Sequence, residues 1–365
     1  MNTSHWETTL NTSHMDRRTL LLRGGQLAGG IAVFGVSSSL LSACGASAGV
    51  ARTTASAAMT AFTFQLGWLA NSENMGIYMA QTNEHFKNQQ LDATIVPGGP
   101  SVSVGPLIAS GKAFVGLDSA DTIARARNQG APLKIVGAAL QKNPSAVMSL
   151  ATNPIKTPQE LVGKRLGIQQ SGQAIYDAFF RANHIDPKKV TYVPVQFDPA
   201  PLVNGDVDAF ASFQTVQPIQ LAQKGIKTTT FLLADFGYAI WADTFVVNES
   251  TLKDPNKRKE LVQIMRASVQ GWEDAVANPE EGARLAVDNY GKSLKLNLKD
   301  ETLAAKALVP LVETPETKRN GLLTMSQSGM DANIATMKSV GIQASATELF
   351  DPSVLHDAFG GKTHL

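Results

Sequence analysis

Cysteine is almost absent: Cys44 is the only one in 365 residues. That excludes an intrachain disulfide and any all-cysteine metal site. Charge is scarce too. Asp, Glu, Lys and Arg make up 17% of the chain and the formal net charge is +1, so there is no bulk electrostatic pull toward nucleic acid. The apolar run at residues 27–41 is too short and too rich in glycine for a comfortable membrane span. Catalytic signatures are missing as well: no His-Glu-x-x-His, no Gly-x-Ser-x-Gly, no P-loop, and no Gly-x-Gly-x-x-Gly following a strand. Of six histidines, His5 and His14 precede the apolar run, and His356 and His364 come late in the chain. His85 and His184 fall on helical patterns, with no carboxylates at metal-ligand spacing. No catalytic residue, metal or cofactor is expected, and the chain does not read as an enzyme. At 43% hydrophobic it reads as a globular protein.

What is present begins with a leader. Residues 1–14 repeat Asn-Thr-Ser-His without an apolar run, so the working start is expected at Met15. Arg17-Arg18, the apolar run and Leu41-Ser42-Ala43-Cys44 then form a basic region, a hydrophobic region and a small-residue cleavage site, with a twin arginine in front. Leu-Ser-Ala-Cys resembles the lipobox of bacterial lipoproteins, which implies lipidation of Cys44. The alternative is a buried free thiol. Residues 1–44 are thus the expected signal segment, and residues 45–61, rich in Ala, Ser, Thr and Gly, a flexible tether.

The stretch at residues 62–80 organises the rest. Phe62, Phe64 and Leu66 alternate with Thr63, Gln65 and Gly67, the pattern of a half-buried strand. Met75, Tyr78, Met79, Thr82 and Phe86 follow at helical spacing, with Asn71 or Ser72 at the N-cap position. A strand running through a polar turn into a helix sets a ligand at the carboxyl end of a sheet, facing free helix N–H groups. Trp68 at the strand tip either walls such a site or packs in the core.

Alternating strands and helices continue to residue 233, with strands expected near 91–96, 113–117, 133–140, 163–168, 190–195, 207–212 and 228–233. That alternation implies parallel sheets. Thr157-Pro-Gln-Glu160 reads as a capping box. After one more strand, 244–247, the chain is mostly helical, with an irregular segment at 310–315. The economical α/β arrangement is two lobes joined by two crossover segments, near residues 150–154 and 234–243, with an interlobe cleft. Lobe 1 takes residues 62–152 and 236–350, lobe 2 residues 153–235, and residues 351–365 form a C-terminal tail.

Uncharged polar and aromatic groups gather at the strand ends. Trp68 and Asn71 follow the first strand, Asp118 and Ser119 the third, and Gln141 the fourth. In lobe 2, Ser171 and Gly172 follow one strand and Gln214 another, while Tyr238 and Trp241 lie in the return crossover. Any one of these caps a helix or closes a turn equally well. Together, amides that donate and accept without charge and aromatic faces that stack suit a planar solute of little charge.

The stretch at 64–92, with Trp68, Gly76-Ile77-Tyr78, Met79-Ala80-Gln81-Thr82, Phe86-Lys87 and Leu91-Asp92, resembles the thiamine-pyrimidine-synthase-like binding proteins. Gly111-Lys-Ala-Phe-Val-Gly-Leu117, Leu161-Val-Gly-Lys-Arg-Leu-Gly167 and Gly205-Asp-Val-Asp-Ala209 continue the likeness, which spans most of residues 62–289. It implies the type II periplasmic-binding-protein fold and the role of solute receptor for an ABC importer of thiamine pyrimidine precursors or, more distantly, of taurine and other sulfonates. The partners implied are a small solute, an ABC permease and a membrane reached through the lipid anchor, with the receptor a monomer in the cell envelope. The family also holds a pyrimidine synthase with a lysine and a nearby histidine after the third strand and cysteines in the return crossover. Here Asp118 stands at the lysine position, and residues 235–241 contain no cysteine. The importer-type motif differs too, with Ala70 where proline is common and Asn74 where histidine is common.

Overall fold

Phe62 and Phe64 turn inward and Thr63 outward along strand β1 (Thr60–Gln65), as the alternation requires. The structure, a computed structural model, describes residues 59–99, 101–169 and 172–365. Cys44, the leader and the expected tether up to residue 58 lie outside the described residues, as does Ser171, while the tether's last two residues, Thr60 and Ala61, instead open strand β1. The remaining strands are β2 (Leu91–Val96), β3 (Val115–Asp118), β4 (Leu133–Leu140), β5 (Ser145–Leu150), β6 (Arg165–Ile168), β7 (Thr191–Pro194), β8 (Ala209–Phe213), β9 (Thr228–Leu232) and β10 (Ala242–Asn248).

They form two five-stranded sheets with one topology, in the orders β2-β1-β3-β10-β4 and β7-β6-β8-β5-β9. Neither sheet is all-parallel, contrary to the expectation from alternation alone. β10 runs antiparallel to β3 and β4, and β5 antiparallel to β8 and β9. The reason is the chain path: the antiparallel strand in each sheet is the one that arrives from the other. The chain passes from β4 to β5 through residues 141–144 and returns from β9 to β10 through residues 233–241. The first crossing thus comes earlier than the 150–154 expected, because Ser-Ala-Val-Met-Ser-Leu forms strand β5 rather than closing the first lobe. Lys142 and Asp235 pair at 3.2 Å, tying the two crossings together at the surface. This two-lobed α/β arrangement agrees with the periplasmic-binding-protein fold that the resemblance implies.

The first sheet is covered on one side by helix Met75–Thr82 and the long helix Pro255–Ala277. Their contact is set by small residues. A Cβ at Gly76 would strike the Trp272 ring, and one at Gly271 would strike the Gly76 carbonyl, so the two backbones meet at these glycines. Trp272 is thereby fully buried.

Three local expectations are corrected. Thr157 makes no side-chain cap; Glu160 instead accepts from the Lys156 N–H at 2.6 Å, and Pro158–Leu161 is a single 3-10 turn. Helix Leu298–Val312 runs through Pro310, where an irregular segment was expected. Proline so close to a helix end disrupts little beyond its own missing N–H. In the expected tail, helix Ser353–Ala358 buries Val354 and Leu355 in the core, and Asp357 pairs with Arg258 at 2.6 Å. Among the described residues no helix is long and apolar enough to cross a membrane.

Candidate ligand-binding cleft

Beyond Gln65 the chain leaves the sheet as Leu66-Gly67-Trp68-Leu69-Ala70-Asn71. Gly98 donates its N–H to the Trp68 carbonyl at 2.9 Å, and a Cβ at Gly98 would collide with this tip, so glycine is required for the approach. Asn71 Oδ1 accepts from the Glu73 N–H at 3.1 Å, capping a 3-10 turn, Ser72–Asn74, that leads into helix Met75–Thr82. Asn74 Nδ2 donates to the Leu69 carbonyl at 3.1 Å. These bonds hold Trp68 half-buried at the mouth of a cleft of about 560 Å³. That volume is in the range for small organic ligands.

Three sources build the walls. From the first sheet come the Trp68 turn, Asp118, Ser119 and the start of β10. From the second come Phe213 at the end of β8, Phe197, Ile175 and the segment from Thr215 to Gln220. Helix Leu298–Val312 supplies Asp300, Glu301, Ala304 and Leu308. Phe213 and Phe197 are 44% and 40% exposed, unusual for phenylalanine, and both face the cleft. Asn143 and Pro144 of the outgoing crossing and Tyr238 of the return crossing line its floor.

Five of the expected site residues therefore meet at the cleft: Trp68, Asn71, Asp118, Ser119 and Tyr238. Four do not. Trp241 is 4% exposed and turned away, its ring edge-on to Phe350 at 5.5 Å and its backbone N–H donated to Asn333 Oδ1 at 2.8 Å. Gln141 spends its amide on the Ala138 and Thr324 carbonyls at 2.8 and 3.0 Å. Gln214 is fixed through its backbone N–H to the Pro144 carbonyl at 2.9 Å, and neither its side chain nor Gly172 lines the cleft.

The acidic groups are what the sequence reading missed. Glu73, Asp121, Asp243, Asp300 and Glu301 join Asp118 around the cleft, and no lysine, arginine or histidine lines it among the described residues. Asp118 Oδ1 accepts from the Ser119 N–H at 2.8 Å, while the Thr244 hydroxyl donates to the Asp118 carbonyl at 2.7 Å. Burial pushes the Asp118 carboxyl up to about 7 against the opposing pull of the Ser119 N–H, and Asp121 nearby adds to the rise. Glu301 Oε2 accepts from the Ser72 N–H at 2.8 Å, pinning the helix to the Trp68 turn. Burial also raises Glu73 and, well beyond it, Asp243, whose carboxyls lie within hydrogen-bonding reach of one another. The signal available in the sequence was the count of acids at turns and strand ends, each of which looks like an ordinary cap when read alone.

Comparison with known proteins places this architecture. A family profile described as NMT1/THI5 like matches residues 71–282, more than half of the chain. The chain is 27% identical over 231 residues to the 4-amino-5-hydroxymethyl-2-methylpyrimidine phosphate synthase of Legionella pneumophila, covering 61% of this chain and 72% of that one. It is 26% identical over 255 residues to the riboflavin-binding protein RibY of Chloroflexus aurantiacus, covering 67% and 71%. Among solved structures, the periplasmic aliphatic sulphonate binding protein SsuA of Escherichia coli superposes with a TM-score of 0.58 at 13% identity, covering 77% of this chain and 85% of that one. With the matching profile running from Asn71, just after Trp68, through all of the second sheet and β10, this chain belongs to the NMT1/THI5-like family.

Proposed function

We propose that this chain is the solute-binding lipoprotein of an ABC importer, anchored through Cys44, and that it captures a small planar solute by closing two lobes on it. Lobe 1 is built on β1–β4 and β10, lobe 2 on β5–β9. The observation that carries the reading is a cleft lined by aromatics from both sheets' sides. Trp68 on the first sheet's side and Phe197 and Phe213 on the second's all open onto the cleft. Aromatic surface left open on two walls is costly unless something flat fills the space between them, and lobe closure would bury the exposed Phe197 and Phe213 together with the half-buried Trp68. A relative named for riboflavin, a planar ring system, agrees with this.

The rival reading is an exported enzyme, since the Legionella relative is named as a synthase. The resemblance points to pyridoxal phosphate for that chemistry, and the residues around the cleft do not fit it. Among the described residues no lysine lines the cleft to form a Schiff base, and the carboxylates there repel a phosphate. The same wall disfavours an anionic sulfonate.

The test is a thermal-shift screen of purified protein against small metabolites. A ligand of the native state raises the melting temperature by an amount that grows with the logarithm of its excess over Kd. Binding of a planar solute that is recovered unchanged supports the reading. Recovery of a chemically altered product overturns it, as does a screen in which no solute binds.

A further inference from the structure

Six carboxylates surround the cleft, and among the described residues no lysine, arginine or histidine lines it. Two already have donors: Asp118 takes the Ser119 N–H and Glu301 the Ser72 N–H. Asp243 is different. It is 7% exposed, it lines the cleft, and no donor reaches its Oδ2. Its backbone sits at φ +49°, a left-handed conformation that a side-chain-bearing residue adopts at a cost. Its direct neighbour is another acid, Glu73, with Asp118 nearby. Glu301 and the Tyr78 phenol also lie near Glu73.

Two carboxyls in contact need something positive between them: a shared proton or a bound cation. Burial raises both carboxyls, Asp243 the more strongly, which favours a proton shared by the pair in the free protein. A ligand carrying a positive nitrogen would displace that proton and give Asp243 Oδ2 the donor it lacks. The aromatic walls favour the same occupant, because a desolvated cation is attracted to aromatic faces and Trp68, Phe197 and Phe213 present three. A bare metal ion suits the site less. Among the described residues no group of three or more His, Cys, Asp or Glu side chains is arranged to hold one.

We propose that the cleft takes an organic cation, a flat ring bearing a protonated amine, amidine or ring nitrogen. The nitrogen is held by Asp243 and Glu73, and the ring lies between Trp68 and the Phe197–Phe213 wall. This rests on the receptor reading and narrows its ligand from planar solutes in general to cationic ones. Binding exchanges the ligand's charge for the proton of the acid pair, so it releases a proton to solvent.

Three probes of one shape separate charge from fit: benzamidine, benzamide and benzoate. Isothermal titration of the purified protein at neutral pH, in two buffers of different protonation enthalpy, reads affinity and proton release together. Benzamidine should bind at least about tenfold tighter than either of the others, with a proton released. Asp243→Asn and Glu73→Gln, each checked for a cooperative thermal melt, should shrink that preference. If Asp243→Asn does not fold, Glu73→Gln carries the comparison. Benzamide or benzoate binding as tightly as benzamidine, binding without proton release, or no binding by any of the three at millimolar concentration overturns the cation assignment. The receptor reading is decided separately, by the metabolite screen.

Discussion

The Trp241 indole lies directly over the Cα of Gly329, so close that any Cβ there would collide with the ring. The first turn of helix Gln327–Ser339 is thereby pressed against the residue that precedes β10. Trp241 is a core residue of the first lobe, seated between that helix and Phe350. Trp241→Ala should cost about 3–5 kcal/mol of stability, as truncation of a buried aromatic does. Affinity at a temperature where the variant is folded should change little. Denaturant melts read the first effect and ligand titration the second. A variant of full stability that no longer binds would return Trp241 to the cleft.

Trp68→Ala should do the reverse. The indole is half-buried at the strand tip and lines the cleft, so little packing is lost on truncation. Stacking on an aromatic face is worth about 1–3 kcal/mol per ring, which sets the expected loss of affinity at roughly tenfold or more. Phe213→Ala should weaken binding in the same sense from the opposite wall. Tryptophan fluorescence should shift when ligand binds the wild type and not when it is added to the Trp68 variant. Equal affinity of wild type and Trp68→Ala would remove the aromatic wall from the recognition scheme.

The contrast between these two tryptophans measures what the sequence made legible. Both stand beside a strand, and periodicity identifies each strand end. It does not say to which side of the sheet a residue outside the strand turns. Trp68, Asn71, Asp118 and Ser119 were readable because they follow strands whose carboxyl ends meet the cleft. Trp241 precedes β10, a strand that runs antiparallel to its neighbours, and the adjoining Asp243 faces the cleft in its place. β10 and β5 both look like ordinary strands in the sequence; their direction follows from a crossing between sheets, which is a long-range fact. So is the Ser72–Glu301 bond, which joins residues 229 positions apart. The acid pair of Glu73 and Asp243 exists only once the return crossing brings β10 beside the first turn, and no local pattern announces it.

Helix packing offers a test away from the cleft. Gly76 has no room for a methyl group against Trp272, and Gly271 has none against the Gly76 carbonyl. Gly76→Ala or Gly271→Ala must push apart helices Met75–Thr82 and Pro255–Ala277. The expected cost is about 1–3 kcal/mol, because the obstacles are a fully buried ring and a backbone carbonyl, neither of which can swing aside. Urea denaturation measures it. Any gain in helix propensity from alanine is smaller than this, so a more stable alanine variant would show that the two helices are free to separate.

The buried acids give the ligand-free protein an unusual dependence on pH. Asp118, raised to about 7 from a usual value of 3.8, holds its proton more tightly folded than unfolded. Its contribution is therefore full below about pH 4 and is lost as pH rises toward about 7, by on the order of 4 kcal/mol at most. Glu73 and Asp243 are raised too and act with the same sign. Surface carboxylates paired with arginine, such as Asp208 with Arg165 and Asp357 with Arg258, are lowered, and their stabilisation is lost instead as pH falls through the acid range. The two effects occupy different windows, and the decline between about pH 5 and about pH 8 carries the cleft acids together with Glu260 and Glu273, which burial raises as well. Asp118→Asn removes one titrating group while keeping an acceptor oxygen for the Ser119 N–H, and it should flatten part of that decline. Denaturant midpoints across the window, for wild type and variant without ligand, make the comparison. Parallel curves would mean that Asp118 is already ionised in the folded protein at neutral pH.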